Sequence, residues 1–434
     1  MKLNKWTVAL AAVGAVSLAS AAKAEEKASP VLTALSTTTL SGYVDTSAEW
    51  NFGTGNTFMP PYKFGGTSKA DGFNLDVVQI RIEKPLDETE WAAGYRVDLW
   101  AGPDANTLGT QSTLSSGSSD FAIRQAYVNL RTPIGNGLEW KMGVFDSIIG
   151  YESVEAPLDP NFTRSYGHSI EPQTETGLLA SYRFCPEFSA SVGVANTMNS
   201  AINSRAQAGS TGMVGGIFGS FFPSGPSPLA APGDNAKAES YKSYMGSVAI
   251  TAPDSMGFLA GSTLYGGVVS GFDNSVVGTG VGLPHYNAYV GATIATPVKA
   301  LKLGVAFDEL DVATTFNTSN PGSTIPNGTR INASIWTVAG YASYQLTEKM
   351  SLHGRCEYAD ARIDEPVSAD AQILATTVTL QYDLWKNVLS RLEFRWDHSL
   401  NDQNIFGGTG TLADTSGPDR DNAYMLALNV IYKF

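Results

Sequence analysis

Charged side chains recur at every second position in several segments of this 434-residue chain. The clearest segment is RLEFRWD, in which Arg391, Glu393 and Arg395 share one parity while Leu392, Phe394 and Trp396 take the other. Period two is the repeat of a β-strand, whose successive side chains point to opposite faces. Charged groups are costly toward lipid, so a strand of this kind predicts a wet face and an apolar face. Arg355 and Glu357 repeat the pattern.

Catalytic chemistry has little support in the sequence. The four histidines include no pair at metal-ligand spacing, and the chain contains neither a GxSxG nor an HExxH motif. The glycines between Gly261 and Gly282 are not followed by the GK[ST] of a phosphate loop. We therefore expect no enzymatic activity, no cofactor and no metal site.

The segment 422–434 indicates the kind of β-strand that could carry these charged faces. Tyr424, Leu428 and Tyr432 share one parity with the terminal Phe434, so that aromatic residues flank an aliphatic centre. This profile is typical of a lipid-facing strand in a transmembrane barrel, with aromatic girdles at both interfaces. A strand that ends on an aromatic residue resembles the assembly signal of bacterial outer-membrane barrels, so Tyr432 and Phe434 are predicted to serve as that signal. The closing strand of a soluble β-sandwich is the alternative.

Strand-like runs occupy most of the remaining chain. They make about sixteen strands, an even number in the size range of barrels with a water-filled channel. The fold class predicted is thus all-β, a transmembrane antiparallel barrel with short periplasmic turns, long extracellular loops and both termini periplasmic. The predicted strands lie near 40–52, 73–85, 90–99, 121–131, 138–148, 176–184, 188–197, 243–252, 258–270, 285–296, 301–313, 332–345, 350–361, 372–383, 390–400 and 422–434.

Connection lengths favour the barrel over the sandwich, because short and long connections are predicted to alternate strictly. Pro133–Gly137 and Thr347–Lys349 are examples of the short ones. The longest connection, 198–241, is rich in Gly, Ser, Pro and Ala. It is interpreted as a mobile surface loop, with a subunit contact or a lid over the pore as the alternative.

The first residues resemble an export signal. Lys2 and Lys5 precede an apolar run, and Ala22-Lys23-Ala24 has the small-x-small pattern of a cleavage site. The domain organisation expected is a signal peptide at 1–24, a short periplasmic lead-in at 25–38 and the barrel at 39–434. After the signal, no run approaches the roughly 18–20 apolar residues of a spanning helix.

The formal net charge of −13 makes nucleic acid an improbable partner. Acidic external loops fit a lipopolysaccharide surface through bridging divalent cations, and a mild cation preference would follow if those loops border the pore entrance. Cys185 falls in a predicted turn and Cys356 on a predicted strand, so we expect both to be unpaired.

The connection Gly150–Glu175 joins the predicted fifth and sixth strands. In trimeric general porins, the loop at this place folds inward and narrows the channel, with its carboxylates facing an arginine-rich wall. This resemblance implies the same role here, with an ordinary external loop as the alternative. The loop residues concerned are Glu152, Glu155, Asp159, Arg164 and Glu171, and the wall would be supplied by some of Arg81, Arg96, Arg124, Arg131 and Arg183.

Several segments also resemble the OmpL-like family of outer-membrane β-barrel porins. They include SGYVDTSAEWNF, EKPLDETEWAAGYRVDLWAGPDAN, IRQAYVNLRTPIGNGLEWKMGVFDSIIGYESVEAP and PNFTRSYGHSIEPQTETGLLASYRF. The resemblance covers the first half of the chain well and the second half mainly by pattern. It implies a porin-like channel in the outer membrane, with no known substrate.

Two functions of different classes follow from these patterns. The first is a porin that lets small hydrophilic solutes or ions diffuse through a wet lumen lined by charges of both signs. The second is a structural or adhesion barrel that displays its loops without significant conductance, which a plugged or salt-bridged lumen would favour. The partners expected are outer-membrane lipids, lipopolysaccharide and the barrel assembly machinery, and a homotrimer is one assembly that the porin resemblance allows.

Overall fold

Sixteen antiparallel strands close into a single barrel in this computed structural model. Each strand pairs with its neighbours in the sequence, and the last strand returns to pair with the first. The fold class and the strand count predicted from the sequence are confirmed. The structure describes residues 37–53, 55–110, 119–198, 200–203, 241–275, 282–316, 326, 329–401, 403–409 and 417–434.

The strands are numbered in chain order. They are β1 (Thr39–Asn51), β2 (Gly72–Lys84), β3 (Ala92–Ala101), β4 (Phe121–Thr132), β5 (Leu138–Asp146), β6 (Thr174–Cys185), β7 (Phe188–Ala195), β8 (Ser243–Thr251), β9 (Thr263–Ser275), β10 (Gly282–Ala295), β11 (Leu301–Phe316), β12 (Thr329–Gln345), β13 (Met350–Ile363), β14 (Ala369–Trp385), β15 (Val388–Ser399) and β16 (Asn422–Lys433). Within the described residues, two short α-helices lie in connections, α1 (Asp104–Leu108) and α2 (Tyr166–Ile170), and two 3-10 helices span Ala156–Leu158 and Asp254–Leu259.

The two faces of β16 differ as the alternation predicts. Tyr424, Leu428 and Tyr432 are 41%, 43% and 49% exposed on the outside, while Ala427 and Asn429 point inward and are fully buried. The apolar parity of this strand therefore faces the surroundings of the barrel, and the other parity faces the lumen.

Closure of the barrel depends on the pairing of β1 with β16. Gly42 and Phe434 exchange backbone hydrogen bonds of 2.9 and 3.0 Å. A Cβ atom on Gly42 would lie 2.8 Å from the ring of Phe434 and 2.0 Å from the carbonyl oxygen of Gln79, so only glycine fits there. The terminal aromatic ring thus packs over the first strand.

The largest error in the predicted strand boundaries concerns β9, since the other boundaries differ from the structure by at most three residues. The strand predicted at 258–270 runs instead from Thr263 to Ser275, and a 3-10 helix fills the preceding turn. Pro253 lacks a backbone N–H, and Gly257 and Gly261 have positive φ angles of 64° and 82°, so the chain cannot enter the sheet before Thr263.

The predicted strict alternation of short and long connections is also wrong. β13 extends to Ile363 and β14 begins at Ala369, so the connection that should be long consists only of residues 364–368. Outward-facing Arg362 and Asp370 obscure these extensions, because a strand that continues beyond the apolar band no longer has an apolar face. We call the end of the barrel that carries the β5–β6 connection the loop end, and the opposite end the turn end.

The lumen is not an open cylinder. Three clusters of buried apolar side chains occupy it, and connections contribute to each of them: Tyr166 and Phe406 to the first, Ile149 and Tyr151 to the second, and Leu108 and Val154 to the third. Connections from the loop end thus fold back into the barrel and pack there.

Some sequence predictions fall outside the described residues, namely the signal peptide at 1–24, nearly all of the lead-in at 25–38 and most of the 198–241 connection. Cys185 and Cys356 are free and exposed. Among the described residues, no helix combines the length and apolarity needed to cross a bilayer.

Candidate functional site

The connection between β5 and β6, here called L3 (residues 147–173), lies inside the barrel, and nearly all of its residues are buried. Gly150 allows the chain to turn inward: its φ is +121°, and a Cβ atom there would lie 2.2 Å from the carboxylate of Glu171. Further along, the Ser165 hydroxyl caps α2 by accepting a 3.0 Å hydrogen bond from the His168 N–H. L3 is therefore an ordered element of the lumen.

Three arginines of β13 and β15 bind the main chain of L3. Arg355 donates to the Thr163 carbonyl oxygen at 2.7 Å. Arg391 donates to the Ala156 carbonyl oxygen at 2.9 Å and also to that of Asp159. Arg395 donates to the carbonyl oxygen of Arg164 at 2.7 Å.

Two carboxylates on the same strands bind the N–H groups of L3. Glu393 accepts hydrogen bonds from the N–H groups of Phe162 and Thr163, the latter at 2.9 Å. Glu357 accepts from the Tyr166 N–H at 2.7 Å. We call Arg355, Glu357, Arg391, Glu393 and Arg395 the anchoring wall. Each is at most 2% exposed, so these charges satisfy buried backbone groups of the loop rather than face water.

Glu152 adds a side-chain anchor to the same wall. Its carboxylate accepts from Arg355 Nη1 at 2.8 Å, from the Ser165 N–H at 2.8 Å and from the Tyr341 hydroxyl at 3.2 Å. The ring of Tyr341 stacks on that of Tyr151 with the centroids 4.2 Å apart. The beginning of L3 is thereby held by both charge and aromatic packing.

Glu155 instead meets arginines of β2, β3 and β4 on another part of the barrel. Its carboxylate accepts from Arg96 and Arg124 at 2.8 Å and also from Arg81. Burial alone would raise the pKa of Glu155, but the three guanidinium groups outweigh that effect and lower it to about 2. We call Arg81, Arg96 and Arg124 the arginine wall.

The arginine wall is less completely covered than the anchoring wall. The side chains of Arg81 and Arg96 are 19% and 18% exposed, whereas that of Arg124 is 1% exposed. Asp98, on β3, accepts hydrogen bonds from Arg81, Arg96 and Gln125 and keeps the first two guanidinium groups in place. Of the arginines that contact L3 through Glu155, Arg81 and Arg96 are therefore the two whose side chains remain partly exposed to the lumen.

Arg164 and Asp159 pair within L3, with Nη1 and Oδ2 3.2 Å apart. Burial raises the pKa of Asp159 to about 7 against the opposing influence of Arg164. Glu171 lies beside Asp308 of β11, and burial together with that carboxyl raises the pKa of Glu171 well above its usual value. His168 Nδ1 is 3.6 Å from the Glu171 carboxylate.

Two of the arginines that the sequence offered for the wall facing this loop, Arg131 and Arg183, lie elsewhere. Arg131 donates to the Asn136 carbonyl oxygen at 3.0 Å, in the short connection at the turn end. Arg183 donates to the carbonyl oxygens of Cys185 and Pro186, also at the turn end. The structure therefore brings Arg81, Arg96 and Arg124 to L3 and leaves Arg131 and Arg183 away from it.

Sequence reasoning missed the β1–β2 connection, which also folds inward. The Tyr62 ring lies over the Arg395 guanidinium at 4.1 Å, and the Lys63 N–H donates to Ser169 of L3 at 2.8 Å. Phe58 forms a β-bridge with Gly407 of the β15–β16 connection. The aromatic segment FMPPYKF was the available signal, since a loop exposed to water has no reason to carry three aromatic residues so closely spaced.

The same connection carries a buried ionic group. The ammonium of Lys69 lies 2.7 Å from the carboxylates of both Asp76 and Asp104. Asp104 begins α1, so this lysine ties the β1–β2 and β3–β4 connections together. L3 is thus covered at the loop end by connections that are themselves held in place.

The family model of the OmpL-like beta-barrel porin-2 proteins matches residues 37–434. No curated protein matches the chain. Family and fold together point to a channel rather than an enzyme.

Solved structures with the same fold are outer-membrane proteins. The channel DcaP of Acinetobacter baumannii is 11% identical with a TM-score of 0.53, and the match covers 92% of this chain and 97% of that one. The anion-selective porin of Comamonas acidovorans is 12% identical with a TM-score of 0.52, over 92% and 99%. The trimer form of OmpT of Vibrio cholerae is 11% identical with a TM-score of 0.50, over 92% and 99%. At these identities the likeness concerns the fold, and the family rests on the match over residues 37–434: the chain is a member of the OmpL-like beta-barrel porin-2 family, a porin of the outer membrane.

Proposed function

We propose that the protein lets small hydrophilic solutes diffuse through its lumen, and that L3 constricts the path. The observation that carries this proposal is the contrast between the two walls that L3 touches. The anchoring wall is covered by the loop, while Arg81 and Arg96 of the arginine wall keep about a fifth of their side chains exposed. The path would therefore run along the arginine wall, beside Glu155.

Within L3, the proposal separates two roles. Glu152, Asp159, Arg164 and Glu171 hold the loop, since their partners lie within the loop, on the anchoring wall or on β11. Glu155 borders the path. The residues of the anchoring wall act as positioning residues that fix L3 by its main chain, which differs from the pore-lining role expected from their parity alone.

Conductance of the purified protein in planar bilayers tests the proposal. Discrete current steps are expected for the parent, and Glu155→Gln should change the reversal potential in a salt gradient without abolishing the current. Because this substitution removes one charge and changes the side-chain volume little, a change in selectivity would report the electrostatics of the path. Absence of current through correctly folded protein would contradict the proposal.

A display scaffold is the second candidate, and a specific observation favours it. The charged side chains of the anchoring wall and three apolar clusters fill the lumen, as a barrel without a transport role would allow. The same conductance measurement distinguishes the two functions. In the scaffold, no current is expected even when the anchoring wall is disrupted.

We further propose that residues 1–24 direct export, that residues 25–38 form a periplasmic lead-in to the barrel, and that Tyr432 and Phe434 serve as the assembly signal. Deletion of Phe434 should lower the amount of heat-modifiable barrel in the outer membrane more than it lowers synthesis, because the ring packs over Gly42 where the barrel closes. Equal amounts of folded barrel from the variant and the parent would contradict this role.

A homotrimer and contacts with lipopolysaccharide and the assembly machinery are part of the same proposal, and OmpT of Vibrio cholerae provides a precedent for a trimer form.

A further inference from the structure

The groups on the path side of the arginine wall differ in how fully they are paired. Asp98 Oδ2 accepts hydrogen bonds from Arg81, Arg96 and Gln125. Glu155 Oε1 accepts from three guanidinium groups, and its Oε2 accepts from Gln79 at 3.3 Å. Both carboxylates at this level are therefore fully used by partners from the chain.

Some N–H donors of the lumen-facing cations at the same level have no acceptor among the described residues. Arg81 and Arg96 each bind through Nε and Nη2, and in the described part of the chain no acceptor is bound to Nη1 of either. Lys141 of β5 faces the lumen with its ammonium 5.1 Å from the centre of the Tyr127 ring, and no carboxylate among the described residues pairs with it. Tyr127 of β4 is directly opposite Arg96 of β3 in the strand register, and its ring lies between Arg96 and Lys141 of β5, so the three cations lie within four consecutive strands.

Three further carboxylates lie nearby. Asp146 accepts hydrogen bonds from Arg124 Nη1 on both of its oxygens, at 2.8 Å. Glu83 lies opposite Arg96 in the register of β2 and β3, and Glu139 lies opposite Arg131 in that of β4 and β5. Glu83 and Glu139 are thus each next to an arginine toward the turn end. Within the described residues, Nη1 of Arg81, Nη1 of Arg96 and the ammonium of Lys141 bind no carboxylate, so an entering anion can take these N–H groups.

We propose that Arg81, Arg96 and Lys141 form a binding site for small organic carboxylates on the solute path. The inference rests on the proposed channel function and adds the charge and class of the solute. Asp98 shows how these arginines hold a carboxylate, because Arg81 donates to its two oxygens through the paired N–H groups of Nε and Nη2. The solute takes the Nη1 edges that Glu155 leaves open and the ammonium of Lys141. Despite the acidic composition of the chain, the path selects anions, opposite to the cation preference expected from net charge.

Two measurements on detergent-purified full-length protein test this site. Titration calorimetry with succinate measures binding without requiring conduction, and the reversal potential in a KCl gradient measures the sign of selectivity. The parent should bind succinate saturably and pass chloride in preference to potassium. Lys141→Gln should bind succinate about tenfold more weakly, the loss expected for one charge-assisted hydrogen bond.

Matched variants exclude a general charge effect. Lys302→Gln removes the same charge from a lumen-facing position on β11, across the barrel, and should leave succinate affinity within about twofold of the parent, a change too small to reflect a lost hydrogen bond. Lys141→Arg keeps the charge and should restore most of the affinity. Heat modifiability of each variant confirms that the barrel is folded.

The outcomes separate this inference from the proposed function. No saturable succinate binding, potassium preference in the parent, or equal effects of Lys141→Gln and Lys302→Gln would overturn the site. Inorganic phosphate that binds as tightly as succinate, with the same dependence on Lys141, would overturn the assignment to carboxylates. Succinate binding that depends on Lys141 in a protein that passes no current would support the site and remove the channel function.

Discussion

The anchoring wall and the arginine wall both contact L3 through charged residues, but these residues have different roles in the two walls. On the anchoring wall, arginines and glutamates bind backbone carbonyl and N–H groups of the loop and are almost completely buried. On the arginine wall, the guanidinium groups bind one carboxylate of L3, that of Glu155, and the side chains of Arg81 and Arg96 stay partly exposed. A charged face in a barrel lumen can therefore hold a loop in place as readily as it can contact a solute.

The energetic consequences of the two arrangements differ as well. A charge that is buried and paired leaves an uncompensated partner when it is removed, whereas a partly exposed charge can be replaced by water. Substitutions in the anchoring wall should therefore release L3 and destabilise the barrel. Substitutions at the edge of the arginine wall should mainly alter selectivity.

The largest effect is expected for Arg395→Ala on the anchoring wall. Asp397 and Glu357 lose the guanidinium group of Arg395, and the Arg164 carbonyl oxygen loses its donor. The free energy of unfolding should therefore fall by roughly 3–5 kcal/mol. Freed L3 should also give larger and noisier single-channel currents and faster proteolysis within 147–173. The control is Arg330→Ala, which removes an exposed arginine of β12 and should change neither property measurably.

Tyr62→Ala should come next, because it removes the ring that covers Arg395 from the loop end. Truncation of a large buried aromatic residue costs roughly 3–5 kcal/mol when the site cannot collapse, and the loss should lie at the lower end because Tyr62→Ala removes no charge. We expect a lower unfolding temperature and an increased conductance in the same direction as for Arg395→Ala. Phe258→Ala, at an exposed position near the turn end, serves as the control, and an equal effect of both variants would argue against a role for the β1–β2 connection.

A smaller loss of stability is expected for Glu155→Gln. Arg81 and Arg96 can bind water in place of the carboxylate, and the buried Arg124 loses the charged acceptor of Nη2 but keeps Asp146 on Nη1, so the cost should be roughly 1–3 kcal/mol. Selectivity should shift further toward anions, because the arginine wall then offers additional free N–H groups. A loss of stability as large as that of Arg395→Ala would show that the two walls anchor the loop equally.

The smallest effect concerns pH and compares Asp159 with Glu155. Asp159, which faces Arg164, Glu152 and Arg391, has a raised pKa of about 7, so its protonated form favours the docked loop and stability falls as pH rises from about 4 through 7. Glu155 has a lowered pKa of about 2, so its contribution is complete above its ordinary value near 4.5 and is lost only as pH falls toward 2. Acidification from pH 7 to 4.5 should therefore reduce conductance modestly by tightening L3, and Asp159→Asn should weaken this dependence, with the remainder due to Glu171 in the same loop. An increase in conductance over that range would contradict the assignment.

Much of the barrel could be predicted from the sequence because its signals are local. Alternation in 422–434, with the apolar parity at Leu428 and Tyr432, is a direct consequence of one face meeting lipid and the other the lumen. Where strands leave the apolar band, as at Arg362 and Asp370, the alternation in polarity ends while the hydrogen-bonded ladder continues. Those extensions could not be predicted from hydrophobicity.

The candidate site was predictable only in part. The position of L3 in the strand order and the charges of Arg81, Arg96 and Arg124 are visible in the sequence. The roles of Arg391 and Glu393 are not, because parity shows that a side chain faces the lumen but not whether water or another segment fills the space in front of it. The packing of Tyr62 on Arg395 joins residues far apart in the chain and leaves no local pattern.

The most direct test of the central claim, that water follows the arginine wall and not the anchoring wall, is thiol accessibility during single-channel recording. Cys185 and Cys356 are first replaced by serine, since both are exposed. Lys141→Cys then places a thiol beside the arginine wall, and Thr377→Cys places one beside Arg355 of the anchoring wall, where Thr377 is 1% exposed. With a charged methanethiosulfonate reagent, we expect a prompt stepwise change of current for Lys141→Cys and none for Thr377→Cys. Equal rates at both positions, or faster modification at 377, would contradict the account.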